Sequence, residues 1–195
     1  MARWVAANMN AALQSSCPRE SASTISRACG ALALMDVMKR WNIETSLPKV
    51  WEHVSQADPF GYRCARSYRL AAYAKRCGLN AVALKCQESH AWAALIQCSR
   101  LGMSVIINHQ AQAARHEGHF STLLNISKRS LVAFDPILRA TVAWSRETFL
   151  AHWHENSEIT GHVLIAIQKS DEQSSSKAMS SRDRCPSCGE TIDFE

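Results

Sequence analysis

The feature that most restricts the fold of this chain is a change in hydrophobic period near Ser104. Upstream, apolar residues recur at helical spacing, as they do at Leu34, Val37, Met38 and Trp41. From Ser104 onward, short segments alternate with a period of two, which predicts strands. These predicted strands cover residues 104–108, 119–126, 130–134, 140–144 and 161–168. Helices followed by consecutive strands predict an α+β fold, with N-terminal helices packed on a mostly antiparallel sheet.

The two ends of the chain differ in composition from its middle. Residues 1–20 predict an irregular or loosely helical lead-in, and residues 21–168 predict one globular domain. Residues 169–184 are rich in Ser and lack aromatic side chains, which is typical of a disordered linker. Residues 185–195 form a separate small element, CPSCGETIDFE.

Charge and hydropathy exclude two classes of partner. The formal net charge of the 195 residues is +5. The nearest candidates for a basic cluster, Arg63, Arg66 and Arg69, are interpreted as the solvated face of a helix, so we expect no nucleic-acid binding. No apolar run reaches the ~18 residues of a membrane span. Asn8 and Asn10 interrupt the N-terminal apolar stretch, which argues against a signal peptide and predicts a cytoplasmic protein with reduced cysteines.

Cys29 is the first candidate for chemistry. The apolar stripe of residues 28–41, extended backward, places Cys29 at the start of a helix beside Gly30. Unpaired N–H groups and the positive end of the macrodipole favour a thiolate there. Gly30 has no side chain, which allows a substrate carbonyl to approach closely. The alternative interpretation is a buried cysteine acting as a small hydrophobe.

A nucleophilic cysteine needs a base and a group that orients the base. His119 is the candidate base and Asp135 is the candidate orienting group. His119 begins one predicted strand and Asp135 ends the next. If these strands pair as a hairpin, the two side chains meet at one edge of the sheet, where the helix of Cys29 would bring its thiol. The alternative is that His119 is a polar residue at a strand edge and that Asp135 belongs to an ordinary Asp-Pro turn.

Three short motifs contain these candidates and follow one another along the chain: Ala28-Cys29-Gly30-Ala31, Gly118-His119-Phe120 and Phe134-Asp135-Pro136. Over residues 20–168 the chain resembles the papain-like bacteriocin-processing peptidases, which cleave double-glycine leaders, and their stand-alone relatives. The resemblance implies a papain-like cysteine peptidase fold and a peptide or protein substrate. It makes Cys29 the nucleophile, His119 the general base and acid, and Asp135 the orienting residue, with no cofactor for catalysis.

One position departs from this family. Its members carry a Gln six residues before the cysteine, where the side chain completes the oxyanion hole; here that position is Ser23, and Gln14 lies farther upstream. Ser23 could donate instead, or Gln14 could if residues 15–28 loop out. Losing one such donor typically costs ~10²–10³ in turnover. Two functions therefore stay open: an amide hydrolase acting through an acyl-enzyme, or a catalytically weak or inactive peptide-binding module.

Two metal sites are also considered. Cys185-Pro186-Ser187-Cys188 is typical of a zinc knuckle, but it supplies only half of a four-ligand site. The other ligands would come from another subunit or from internal cysteines such as Cys77 and Cys86; otherwise the pair is metal-free. The tail is also a candidate for binding a partner or for self-association. A zinc hydrolase using His109, His116 and His119 is a third function, although a solvent-exposed histidine loop is the simpler interpretation.

Overall fold

A computed structural model describes residues 27–58, 61–110, 118–155 and 160–170. Within these ranges the helices are α1 (Cys29–Arg40), α2 (Leu47–Val54), α3 (Ser67–Arg76), α4 (Glu88–Arg100) and α5 (Arg146–Trp153). The strands are β1 (Ser55–Ala57), β2 (Arg63–Ala65), β3 (Leu79–Lys85), β4 (Ser104–Gln110), β5 (Gly118–Ile126), β6 (Ser130–Asp135), β7 (Ala140–Ser145) and β8 (Val163–Lys169). The lead-in (1–20) and the tail (185–195) lie outside the described residues, and so does the predicted linker beyond Ser170.

The strands from β3 onward form one six-stranded sheet in the order β3-β8-β4-β5-β6-β7. Every neighbouring pair in it is antiparallel. The predicted α+β class, with helices first and a mostly antiparallel sheet after them, is therefore confirmed. Strand β8 lies between β3 and β4 in this sheet. It therefore connects β3, from the helical half of the chain, with the antiparallel strands β4 to β7.

The sheet separates two hydrophobic clusters. Alternate residues of a strand point to opposite faces, so Ile106 and Ile107 of β4 belong to different clusters. The first cluster lies with α1, α2 and α3, and its fully buried members include Leu34, Met38, Leu70, Ile106, Ile165 and Ile167. The second lies with α4 and α5 and includes Leu95, Ile107, Leu131, Phe149, Trp153 and Leu164.

Among the five helices of the described ranges, α5 alone has a side-chain N-cap hydrogen bond. Ser145 caps α5, because its side chain accepts a hydrogen bond from the Thr148 N–H. α4 begins at Glu88, so Ser89 lies inside the helix, and Gln87 at the N-cap makes no side-chain capping bond. The backbone of Gln87 is already extended, and Glu88 in the first turn suits the positive helix end.

A short antiparallel hairpin, β1–β2, was not predicted. Arg63 lies in β2 and donates to the Ser55 hydroxyl at 3.0 Å from Nε and 2.6 Å from Nη2. Arg66 is the N-cap residue of α3, and Arg69 within α3 reaches the Ser55 carbonyl at 3.4 Å. The prediction that the three arginines share a solvated helix face is therefore wrong, because pairing of β1 with β2 draws Arg63 and Arg69 toward Ser55.

Among the helices of the described ranges, none combines the length and the apolar character needed to cross a membrane.

Candidate active site

The β5–β6 hairpin brings His119 and Asp135 together. Thr122 lies opposite Phe134, so the start of β5 faces the end of β6. The Nε2 atom of His119 lies 2.9 Å from Oδ2 of Asp135. The two side chains meet at the sheet edge that the hairpin hypothesis requires.

The carboxylate of Asp135 is held at both oxygens. While Oδ2 accepts from His119, Oδ1 accepts from the backbone N–H groups of Ile137 at 2.9 Å and Leu138 at 3.0 Å. The His119 and Asp135 side chains are only 12% and 14% exposed. A partly desolvated carboxylate anchored by two backbone N–H groups has one orientation, and in it Oδ2 faces the imidazole.

Cys29 is the first residue of α1 and lies against β5. The N-cap residue, Ala28, makes no side-chain capping bond. The backbone amides of Phe120, of Gly30 and of Cys29 itself lie near enough to the thiol to favour its charged form. Phe120 directly follows His119 in β5. The cysteine is thus brought to the peptide beside His119, and the Asp135 carboxylate lies near enough to affect its ionisation.

Gly30 makes this close approach possible. A Cβ at this position would lie 2.7 Å from the Ala65 Cβ and 2.9 Å from Cδ2 of Phe120. Both distances are shorter than a carbon–carbon contact of about 3.5 Å. Only glycine lets the first turn of α1 lie this close to β2 and β5.

The predicted thiolate is wrong for this state of the protein. Burial, with a smaller contribution from the Asp135 charge, raises the pKa of Cys29 to about 11, against the backbone groups that lower it. Cys29 is 3% exposed. Desolvation of a charged sulfur therefore outweighs the macrodipole on which the sequence argument rested.

His109 was predicted to lie in an exposed loop, and this is also wrong. It belongs to β4, opposite His119, and is buried. Burial, followed by the neighbouring His119, lowers the pKa of His109 to about 4. The sequence signal that would have found it is the alternation of buried residues Val105 and Ile107, which continues to His109.

The structure gives no support to a metal site in the part of the chain that it describes. There, no three His, Cys, Asp or Glu side chains converge on one point. Both ring nitrogens of His109 are already within hydrogen-bond distance of protein oxygens. Cys77 and Cys86 lie beyond opposite ends of the seven-residue strand β3, which is about 20 Å long, so the two thiols cannot share one zinc site. The other predicted residues, Gln14, Ser23, His116, Cys185 and Cys188, lie outside the described ranges.

Comparison with known proteins identifies the family. The model of the Peptidase C39 family matches residues 21–161. No curated protein matches the chain.

Two solved structures share the fold. The peptidase domain of Streptococcus ComA, a bi-functional ABC transporter involved in a quorum sensing pathway, is 17% identical with a TM-score of 0.54; the match covers 78% of this chain and 96% of that domain. A double glycine motif protease from an AMS/PCAT transporter, solved in complex with the leader peptide, is 16% identical with a TM-score of 0.51, covering 80% and 90%. At these identities the likeness is one of fold. With the family match spanning most of the chain, it shows that this protein belongs to the peptidase C39 family and has the papain-like fold of its peptidase domains.

Proposed function

We propose that this protein is a cysteine peptidase in which Cys29, His119 and Asp135 form the catalytic triad. The observation that carries the proposal is the 2.9 Å contact between His119 and Asp135, made beside the Phe120 peptide that borders the Cys29 thiol. A nucleophile, a base and an orienting carboxylate in this arrangement are what acyl transfer through a covalent intermediate requires.

The contact with Asp135 assigns the two nitrogens of His119. An ionised carboxylate only accepts hydrogen bonds, so Nε2 carries the proton that is donated to Oδ2. In the neutral ring, Nδ1 then holds the free lone pair. Nδ1 is therefore the atom that takes the proton of the thiol.

The raised pKa of Cys29 sets the order of events. Because burial keeps the thiol protonated at neutral pH, the proton moves to His119 as the sulfur attacks a bound carbonyl. The C–S bond forms, and the imidazolium then protonates the leaving amine as the C–N bond breaks. Water next attacks the acyl-enzyme, His119 takes its proton, and that proton returns to the sulfur as the C–S bond breaks.

The uncapped start of α1 supplies donors for the oxyanion. The backbone N–H groups of Cys29 and Gly30 have no side-chain cap competing for them. Donors at the site of developing charge are typically worth ~10²–10³ each in turnover. A further donor from Ser23 or Gln14 stays a prediction.

The substrate we propose is a peptide. A double-glycine leader is the natural first test, because one structural neighbour is a double glycine motif protease in complex with a leader peptide.

The proposal is tested with a peptide chloromethyl ketone ending in Gly-Gly, incubated with the full chain and followed by mass spectrometry of tryptic peptides. We expect modification of Cys29 ahead of the more exposed Cys64 and Cys77. His119→Ala should suppress it, whereas His90→Ala, at an exposed position on α4, should not. Labelling that simply follows exposure, with Cys64 and Cys77 ahead of Cys29, would instead indicate a peptide-binding module without catalysis.

A further inference from the structure

A second histidine, His109, packs against the ring of the proposed base, His119. His109 of β4 pairs with His119 of β5 across the sheet, so both side chains lie on the same face. Their ring centroids are 5.4 Å apart with planes at 81°, an edge-to-face arrangement. His109 is 2% exposed. A buried ring in contact with the proposed base is a group that the mechanism above does not use.

The hydrogen bonds of His109 hold its ring in one orientation. Nδ1 lies 2.9 Å from the backbone carbonyl of Gln110, which can only accept, so Nδ1 carries the proton. Nε2 lies 3.0 Å from the hydroxyl of Ser121 and, in a neutral ring, accepts from it. Ser121 is also buried and is two residues beyond His119 on the same face of β5. One strand thus carries both the base and the group that anchors its neighbour.

Aromatic side chains enclose the remaining surface of His109. Its ring centroid lies 4.9 Å from that of Trp144 in β7 and 5.8 Å from that of Phe149 in α5. The titratable groups that act on it are His119 of β5, Asp135 of β6 and His152 of α5. Because burial holds the pKa of His109 near 4, the His109 ring is neutral at neutral pH.

We propose that His109 is a positioning residue for His119, held by Gln110 and Ser121 so that its ring blocks rotation of the His119 imidazole away from Asp135. This inference rests on the proposed function, because it gives His109 a part in the same reaction. A neutral ring supplies this packing without placing a second cation beside the imidazolium. Ser121 acts indirectly, because its hydroxyl holds the His109 ring in place.

The test compares three variants of the full chain in steady-state cleavage of a double-glycine leader peptide. Ser121→Ala removes one anchor of His109, and His109→Phe keeps an aromatic ring but removes both hydrogen bonds. Ser127→Ala is the matched control, since it deletes a hydrogen-bonded serine at the opposite end of β5. A displacement of about 1 Å in a catalytic group can cost ~10²-fold in rate. We expect kcat to fall ~10-fold or more in Ser121→Ala and His109→Phe, with KM unchanged, and to stay native in Ser127→Ala.

The outcomes separate this inference from the proposed function. An active native chain in which Ser121→Ala loses no more kcat than Ser127→Ala would overturn the positioning role alone. A loss confined to KM, or one that follows the fraction unfolded measured by circular dichroism, would also overturn it. A native chain that is inert to both the leader peptide and the chloromethyl ketone would overturn the proposed function, and the positioning role with it. Because Ser121→Ala is a small change, it remains informative if His109→Phe fails to fold.

Discussion

Replacing Gly30 with Ala isolates the contact between α1 and β5. In an ordinary helix this change is favourable by about 1 kcal/mol, because alanine has the higher helix propensity. Here the new Cβ would lie 2.7 Å from the Cβ of Ala65 and 2.9 Å from Cδ2 of Phe120. The Ala65 Cβ is attached directly to the β2 backbone and cannot rotate away. Relief requires α1 to move away from the sheet.

The expected effects on stability and on activity differ in size. Overpacking of this kind typically costs about 1–3 kcal/mol, which the gain in propensity offsets by about 1 kcal/mol. The free energy of unfolding should therefore fall by no more than about 2 kcal/mol. Cys29, however, moves with the start of α1. A shift of about 1 Å away from the Phe120 peptide and His119 would lower kcat/KM by ~10²-fold.

Urea unfolding and leader-peptide cleavage measure the two effects on the same samples. The double variant Gly30→Ala/Ala65→Gly removes the 2.7 Å contact and should recover most of kcat/KM, while Ala65→Gly alone is the control for the change in β2. Native kcat/KM in Gly30→Ala would refute the reasoning, because it would mean that α1 does not have to lie this close for catalysis. Equal loss in the single and double variants would refute the part assigned to Ala65.

Three further predictions follow from other contacts. Asp135→Asn should lower kcat by up to ~10⁴-fold: the oxygen must still accept from the Ile137 and Leu138 N–H groups, so the amide NH2 faces His119 and moves the ring proton to Nδ1. Activity well above that of Asp135→Ala would contradict this. Acid should destabilise the fold through His109. In the unfolded chain this histidine binds a proton below about pH 6.5, whereas burial prevents protonation in the folded chain until about pH 4. The free energy of unfolding should therefore fall by about 3 kcal/mol between these two pH values. Urea unfolding at pH 7 and pH 4.5 should show a smaller loss in His109→Phe, and equal losses would count against the assignment. Ser145→Ala should lower the free energy of unfolding by ~1 kcal/mol through loss of the α5 cap, whereas Thr148→Ala keeps the backbone N–H that is capped and should cost less. Equal thermal shifts in the two variants would show that the cap bond does not stabilise α5.

Much of the fold could be predicted because hydrophobic period is a local property. The stripe through Leu34 and Met38 predicted α1, and the alternation after Ser104 predicted the strands, since each follows from which side of an element must leave water. Where the signal was short, prediction failed: β1 and β2 have three residues each, too few for a period to be recognised. The meeting of His119 with Asp135 was predictable because adjacent strands joined by a short turn bring one strand's start to the next strand's end.

The ionisation of the site was decided by tertiary structure alone. Sequence placed Cys29 at a helix start and so predicted a thiolate, but the cost of desolvation depends on what packs over the sulfur, and here it raises the pKa to about 11. The burial of His109 also depends on tertiary structure, since the residues that it contacts, Ser121, Trp144 and Phe149, belong to three different elements. The sequence by itself determined the longer elements and the order of the chemical groups along the chain. Only long-range packing decided which groups lose water, because burial depends on every element that covers a residue, wherever it lies in the chain.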